Sequence, residues 1–102
     1  MAYIAICHDA ESASSAELRE SNLQAHLSYV EKILDRLLVA GPAGGVSNED
    51  FALSVFVYDT DDVGEAERLL QGDPYIQCGL YGDVRLEPFI PAAGRWIGGK
   101  AW

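Results

Sequence analysis

Two short and almost continuous apolar runs constrain the fold of this chain more than any other feature of its sequence. Residues 3–7 read YIAIC, and residues 51–59 read FALSVFVYD, which is rich in β-branched and aromatic side chains. Such runs are typical of strands that are buried on both faces. Because a chain of 102 residues is long enough for one core and too short for two, we expect both strands in the sheet of a single domain.

The segment between these strands has a helical period. Ser14 and Glu17 have the spacing of a capping box, in which each side chain accepts a hydrogen bond from an amide of the first turn. Apolar residues then recur every three or four positions, at Leu23, Leu27, Val30 and Leu34, with Ile33 and Leu37 beside them. We therefore predict a long helix from Ala16 to about Leu38 whose apolar face packs on the sheet.

Glycine and proline end that helix. Gly41 and Pro42 are followed by two further glycines, Gly44 and Gly45, and this segment cannot continue a helix. We interpret it as a turn. The preceding LLVA suits the start of a second strand, and a polar loop is expected over residues 46–50.

A shorter helix is predicted after the strand at 51–59. Asp62 and Glu65 form a second candidate capping box. The helix that it opens covers residues 63–72, and its spacing places three apolar side chains on the inward face, namely Ala66, Leu69 and Leu70.

The remaining elements complete an α+β order. Asp73 is a favoured cap before Pro74 at a first helical position, so a short helical turn should end at Gly79. Residues 83–90 alternate polar and apolar side chains, as a half-exposed strand does. The order β-α-β-β-α-β is the split βαβ pattern of a ferredoxin-like subunit.

This architecture predicts a homodimer. Two helices cover one face of the four-stranded sheet and leave the other face open. Strands as apolar as 3–7 and 51–58 cannot leave that face in water. We therefore expect two copies to pair through their sheet faces.

Charge and composition exclude several classes of partner. The formal net charge is −9 and the pI is about 4.4, which disfavours nucleic acid and anionic lipid surfaces as partners. The sequence offers neither a membrane-spanning run nor a secretion signal, so a cytoplasmic location is expected. Cys7 and Cys78 lie in no metal-ligand spacing and are interpreted as reduced thiols.

Several motifs in this order resemble the YciI-like family of the dimeric α+β barrel group. The matching residues span 3–90, and they are His26-Leu27 with Tyr29, Ala40-Gly41-Pro42, Glu65-Ala66, Asp73-Pro74-Tyr75, Gly79, and the V-x-L-x-P-F strand at Val84 to Phe89. The ordered set is more specific than any one motif. We divide the chain accordingly into a domain over residues 1–90 and a tail over 91–102, and Trp96 and Trp102 of the tail serve as a lid or as a dimer contact.

The resemblance implies a dimeric α+β barrel with a cleft between the sheet and the first helix in each subunit. It also implies an acid/base pair, which motif matching assigns to His26 and Asp73. Relatives commonly carry an arginine three residues before the histidine, where this chain has Leu23. The sequence leaves open whether Arg19, one turn earlier, reaches the same place. Relatives include an enzyme that eliminates chloride from a chlorinated hydroxyquinone, and the barrel group also contains muconolactone isomerases.

Each catalytic candidate also has an ordinary structural interpretation. Histidine titrates near neutrality and suits proton transfer, but His26 could equally be a partly buried residue that hydrogen-bonds a carbonyl. Asp73 could simply cap the turn at Pro74. The two roles of Asp73 are compatible, because a carboxylate that caps a helix can also fix the tautomer of an imidazole.

The candidates for substrate binding are Ser54, Tyr75, Gly41 and Pro42. Ser54 could instead be a small polar filler, Tyr75 a core residue, and the Gly-Pro pair an ordinary turn. The two histidines, His8 and His26, form at best an incomplete metal site, so we expect no metal and no cofactor.

These observations favour a small cofactor-free enzyme. We expect lyase or isomerase chemistry, such as dehydrohalogenation or lactone isomerisation, on a small cyclic or aromatic-derived metabolite. The alternative is a dimeric binding or accessory protein that holds a small-molecule ligand without a reaction, and a purely structural dimer is a third possibility.

Overall fold

A computed structural model describes residues 1–44 and 51–102. The four main strands are β1 (Ala2–Asp9), β2 (Leu37–Ala43), β3 (Leu53–Tyr58) and β4 (Tyr81–Phe89). The helices are α1 (Ser15–Lys32), α2 (Val63–Gln71) and α3 (Pro74–Gln77), with a 3₁₀ turn at Leu34–Arg36. Two short strands, β5 (Ala93–Gly94) and β6 (Gly99–Lys100), form a hairpin in the tail. The loop predicted over residues 46–50, like Gly45, lies outside the described residues.

The sheet has the strand order β2-β3-β1-β4, and every neighbouring pair is antiparallel. Strand β3 therefore separates β1 from β2, the two strands that α1 connects. This is the split βαβ arrangement, and the predicted α+β, ferredoxin-like fold is confirmed.

One face of the sheet carries the core. Alternate residues of β1 and β3 point to this face, where they meet α2. The buried cluster consists of Tyr3, Ala5, Cys7, Phe56, Tyr58, Ala66 and Leu70. Helix α2 presents the face that its spacing predicts, since Ala66 and Leu70 are buried and Leu69 packs against the cluster.

The two predicted capping boxes form only in part. Asp62 caps α2 by accepting a hydrogen bond from the Gly64 amide at 3.0 Å, but Glu65 pairs with Arg36 instead of reaching back. Ser14 precedes α1 without a side-chain cap bond. The adjacent Ser15 instead donates its hydroxyl hydrogen to the Ala10 carbonyl at 2.6 Å.

Helix α1 is shorter than predicted. It ends at Lys32, and the chain reaches strand β2 at Leu37, which pairs with Tyr58. The helical period continues in the sequence to Leu38, but pairing with the edge of the sheet provides backbone hydrogen bonds that a longer helix would have to forgo.

The face that α1 turns towards the sheet differs in part from the predicted one. No residue of α1 is fully buried, and the exposed fractions are 41% for Leu23, 46% for Leu27 and 61% for Leu34 in the turn that follows. The half-buried positions include Arg19, Asn22, His26 and Tyr29, which share one helix face, and Val30 of the predicted apolar set is half-buried as well. Polar contacts to the α2–α3 segment, described below, select this rotation.

Gly41 and Pro42 belong to strand β2, so their interpretation as a turn is wrong. Pro42 pairs with Ser54, and Gly41 pairs with Val55. Strand β2 lies at the edge of the sheet, where a residue without an N–H group costs the ladder little.

The opposite face of the sheet carries apolar side chains from β1, β2 and β3. The register places Ile4, Ile6, Val39, Val55 and Val57 there. The tail hairpin lies on this face, and an apolar cavity of about 440 Å³ separates it from the strands.

Among the described residues, no helix is both long and apolar enough to cross a membrane.

Candidate active site

His26 and Asp73 are 47 residues apart in the chain and in direct contact in the fold. The His26 Nδ1 atom lies 2.8 Å from one carboxylate oxygen of Asp73 and 3.0 Å from the other. Asp73 is also the N-cap of α3, where its Oδ1 atom accepts a hydrogen bond from the Tyr75 amide at 2.9 Å. One buried carboxylate thus holds the start of a helix and an imidazole ring.

Tyr75 fixes the ring plane of His26. The two rings stack with centroids 4.0 Å apart and an interplanar angle of 14°, and Phe56 meets His26 edge-on at 6.0 Å. The Tyr75 hydroxyl donates a hydrogen bond to the Arg19 carbonyl of α1 at 3.1 Å. Because Tyr75 is only 2% exposed, its clear structural role is to hold the His26 ring. Its predicted contact with substrate stays a prediction.

The pair has the arrangement needed for proton transfer. A carboxylate that accepts from Nδ1–H holds the neutral imidazole in the tautomer whose Nε2 lone pair is free. Within residues 1–44 and 51–102, Nε2 of His26 has no hydrogen-bond partner. The side chains are 13% exposed for His26 and 2% for Asp73, so water reaches the imidazole and hardly reaches the carboxylate.

An ion pair lies on the other side of Tyr75. Arg19 donates to both carboxylate oxygens of Asp9, at 2.6 and 2.8 Å, and to the Ser54 hydroxyl at 3.1 Å. Its guanidinium carbon lies 5.5 Å from the Tyr75 ring centre. Burial lowers the pKa of Arg19, but the hydrogen bond and charge of Asp9 outweigh it and leave the pKa above its usual value.

Burial suppresses ionisation of the neighbouring groups on the sheet. It raises the pKa of the Cys7 thiol to about 12, and the charges of Asp73 and Asp9 add to the effect. Cys7 is therefore protonated at neutral pH and is a poor nucleophile. Burial also raises the pKa of Tyr81, whose hydroxyl lies beside Ser54 but makes no hydrogen bond of ordinary geometry with any described residue.

Tyr29 anchors α1 to the end of α2. Its hydroxyl donates to the Leu69 carbonyl at 2.6 Å. A Cβ atom at Gly72 would lie 2.4 Å from that hydroxyl oxygen, so the close approach of Tyr29 requires glycine immediately before Asp73. Together with the His26 and Tyr75 contacts, this bond turns the polar face of α1 towards the α2–α3 segment.

The predicted site residues divide into two groups. His26, Asp73, Tyr75 and Ser54 gather between α1, α3 and the sheet. Pro42 borders Ser54 in the strand register, whereas Gly41 lies at a position of the opposite face, so the substrate-binding role predicted for this pair stays a prediction. Two cavities among the described residues, one under the tail and one beside His8, Asp9 and Gly82, are not lined by His26 or Asp73.

Asp9 and Tyr81 belong to this cluster and are not among the site residues predicted from the sequence. A sequence signal for the cluster is present in α1, where Arg19, Asn22, His26 and Tyr29 recur at the helical period as the leucines do.

Comparison with known proteins finds relatives that match most of the chain. The YCII-related domain family matches residues 1–90. Protein YciI from Escherichia coli O6:H1 and from Shigella flexneri is 32% identical over 96 residues, covering 87% of this chain and 96% of the relative. An uncharacterized protein from Haemophilus influenzae is 28% identical over 83 residues, covering 74% and 85% of the two chains.

A solved structure has the same fold. The 5-chloro-2-hydroxyhydroquinone dehydrochlorinase from Burkholderia phenoliruptrix AC1100, in complex with 2,5-dihydroxybenzoquinone, superposes with a TM-score of 0.77. The two chains are 24% identical, and the match covers 93% of this chain and 97% of the dehydrochlorinase. The family match and the curated relatives confirm the resemblance read from the motifs, and this chain belongs to the YCII-related, or YciI-like, family.

Proposed function

We propose that this chain is a cofactor-independent enzyme in which His26 transfers a proton and Asp73 orients the imidazole. The observation that supports the proposal most strongly is the contact of Nδ1 with a nearly inaccessible carboxylate, at 2.8 Å, which leaves Nε2 available. The reaction class that fits is elimination or isomerisation on a small cyclic or aromatic-derived metabolite.

The chemistry requires only the two side chains and the substrate. Nε2 takes a proton from a carbon or hydroxyl of the substrate, and the Asp73 carboxylate stabilises the imidazolium that forms. In a dehydrochlorination, the electron pair left behind expels chloride, so one proton and one chloride leave the substrate. In an isomerisation, the imidazolium returns the proton to a different carbon of the same molecule.

The dehydrochlorinase of the same fold supports an elimination as the first reaction to test. Its substrate is named as a chlorinated hydroxyhydroquinone, and the ligand in its structure is a dihydroxyquinone. Rings of this kind release a proton readily from a hydroxyl group, which suits an imidazole base.

We further propose that two copies pair through the apolar sheet face to form a dimeric α+β barrel. This face carries the half-buried side chains of Ile4, Ile6 and Val55, and burying their remaining apolar surface favours association. The tail, with Trp96 and Trp102 largely exposed, lies on this same face, and we expect it to contact the second copy. The α1 side of the sheet, which holds His26, stays free for a ligand.

Turnover assays test the assignment of His26. Wild type should release chloride from 5-chloro-2-hydroxyhydroquinone, or isomerise a lactone such as muconolactone, faster than the uncatalysed reaction does. His26→Ala should reduce the rate by about 10²–10⁴-fold, the usual contribution of a general acid or base. Chloride release and absorbance spectra of the products provide the measurement.

His8→Ala is the matched control. His8 is the other histidine of the chain, is exposed, and lies at the end of β1, so its removal should leave turnover unchanged. Equal rates for His26→Ala and wild type would contradict the assignment.

The enclosure of the pair also favours a second function, a binding or accessory protein without a reaction. The side chains of His26 and Asp73 are only 13% and 2% exposed, and a site so enclosed can hold a ligand without turning it over. A compound that raises the melting temperature of wild type and yields no product would support this alternative, because binding to the native state alone stabilises it.

A further inference from the structure

We propose that the hydroxyls of Tyr81 and Ser54, next to the Arg19 guanidinium, form a subsite that binds a negatively charged ring oxygen of the ligand. This inference rests on the proposed function, because the subsite belongs to the same cluster as His26. It adds the substrate class, a ring compound that carries a phenolate or enolate oxygen, such as a hydroxyquinone anion.

The first observation is that the Tyr81 hydroxyl is inaccessible to solvent and has no partner in the described part of the chain. A buried hydroxyl without a hydrogen bond destabilises the native state, and native structures contain few of them. A ligand oxygen at this position would provide the missing partner.

The position of Tyr81 connects it to the proposed proton-transfer pair. Strand β4 begins at Tyr81, which lies opposite Asp9 at the irregularity between His8 and Asp9. Its ring meets Tyr75 edge-on, with centroids 6.1 Å apart at 84°, and Tyr75 stacks on His26. The Tyr75 side chain therefore contacts both the His26 imidazole and the Tyr81 ring.

Two donors and a positive charge meet beside Tyr81. Ser54 accepts a hydrogen bond from Arg19 at 3.1 Å, which leaves the serine hydrogen free to donate. Burial keeps the Tyr81 phenol protonated, so it also donates. A pair of hydroxyl donors near a cation stabilises an oxyanion, and hydrogen bonds to charged acceptors are stronger than neutral ones.

The ion pair with Asp9 makes the subsite selective. Asp9 occupies two of the Arg19 hydrogen-bond donors, so the guanidinium is held rigidly and has no free pair of donors for a second carboxylate. A singly charged ring oxygen that reaches both hydroxyls is favoured over a carboxylate, which needs a bidentate arginine.

Tyr81→Phe tests the subsite, with 2,5-dihydroxybenzoquinone as the probe. Because the substitution removes an unpartnered polar group, the melting temperature of the free protein should stay the same or rise. The dissociation constant for the probe, measured by calorimetry, should increase at least about tenfold, which is the effect of losing one hydrogen bond to a charged acceptor. Tyr29→Phe provides the stability control, since it removes a satisfied hydroxyl and should lower the melting temperature.

The outcomes separate this inference from the proposed function. The subsite is wrong if wild type does not bind the probe, if Tyr81→Phe binds it as tightly as wild type, or if Tyr81→Phe lowers the melting temperature as Tyr29→Phe does. If Tyr81→Phe weakens binding while His26→Ala retains full turnover, the subsite stands and the proton-transfer role of His26 fails.

Discussion

Asp73→Ala is expected to damage this protein in two ways at once. Without the carboxylate, the imidazole of His26 loses the acceptor that fixes its tautomer, and turnover should fall by about 10²–10⁴-fold. The amide of Tyr75 also loses its partner in a buried position, which should lower the free energy of unfolding by about 1–3 kcal/mol. Urea denaturation and turnover assays measure the two effects on one preparation.

Asp73→Asn separates the two roles of this side chain. The asparagine oxygen can still accept from the Tyr75 amide, so most of the stability should remain. Its NH₂ group would replace Oδ2, 3.0 Å from Nδ1 of His26, where it favours an Nδ1 atom that accepts and a proton on Nε2, and the neutral amide no longer stabilises the imidazolium. Turnover should therefore fall nearly as far as in Asp73→Ala, and an asparagine variant with wild-type turnover would contradict this assignment.

Asp62→Ala is the matched control for the capping role. Asp62 caps α2 through the Gly64 amide but lies on the surface, away from His26. Asp62→Ala should lower the free energy of unfolding by about 0.5–2 kcal/mol, as the loss of an N-cap does, and should leave turnover unchanged.

Leu70→Ala is expected to cause the largest loss of stability among leucine truncations of the helices. Leu70 is 3% exposed and packs between α2 and the sheet, so its removal should lower the free energy of unfolding by about 2–5 kcal/mol. Leu27 lies on α1, which covers the same face of the sheet as α2, but its side chain is largely exposed. Leu27→Ala should therefore change the free energy of unfolding by no more than about 0.5 kcal/mol.

The comparison of these two leucines tests the orientation of α1. If the leucine stripe of α1 packed on the sheet, as its spacing alone predicts, Leu27→Ala would cost as much as Leu70→Ala. Equal losses in urea denaturation would therefore restore the sequence-based orientation and move His26 away from Asp73.

The strands at 3–7 and 51–59 and helix α2 could be predicted because their signals are local. The runs at 3–7 and 51–59 have no competing interpretation, and in α2 the buried positions Ala66 and Leu70 belong to the only apolar face of that helix. The caps at Asp62 and Asp73 are likewise local, since each bonds an amide two residues ahead.

The orientation of α1 could not be predicted in the same way. Its leucine stripe and its polar stripe of Arg19, Asn22, His26 and Tyr29 have the same period, so spacing cannot choose between them. The choice depends on contacts with residues far along the chain, such as Asp73 and the Leu69 carbonyl. The apolar pattern of the sequence contains no information on such polar contacts. A buried charge or hydroxyl nevertheless strongly favours the helix orientation in which it has a hydrogen-bond partner.

The path of β2 illustrates a different limit. Gly41 and Pro42 end a helix in any context, but they do not exclude an edge strand, where a missing N–H is tolerated. Whether a strand lies at an edge is a property of the whole sheet, and the residues of that strand alone do not report it.

The central claim is that Asp73 holds neutral His26 with its proton on Nδ1, so that Nε2 can act as the base. Nitrogen-15 NMR of the histidine side chains measures this directly, because protonated and unprotonated ring nitrogens differ in chemical shift and in their couplings to ring protons. The account predicts the Nδ1–H tautomer for His26 in wild type and the Nε2–H tautomer in Asp73→Asn. A wild-type spectrum that shows His26 as the Nε2–H tautomer would contradict it.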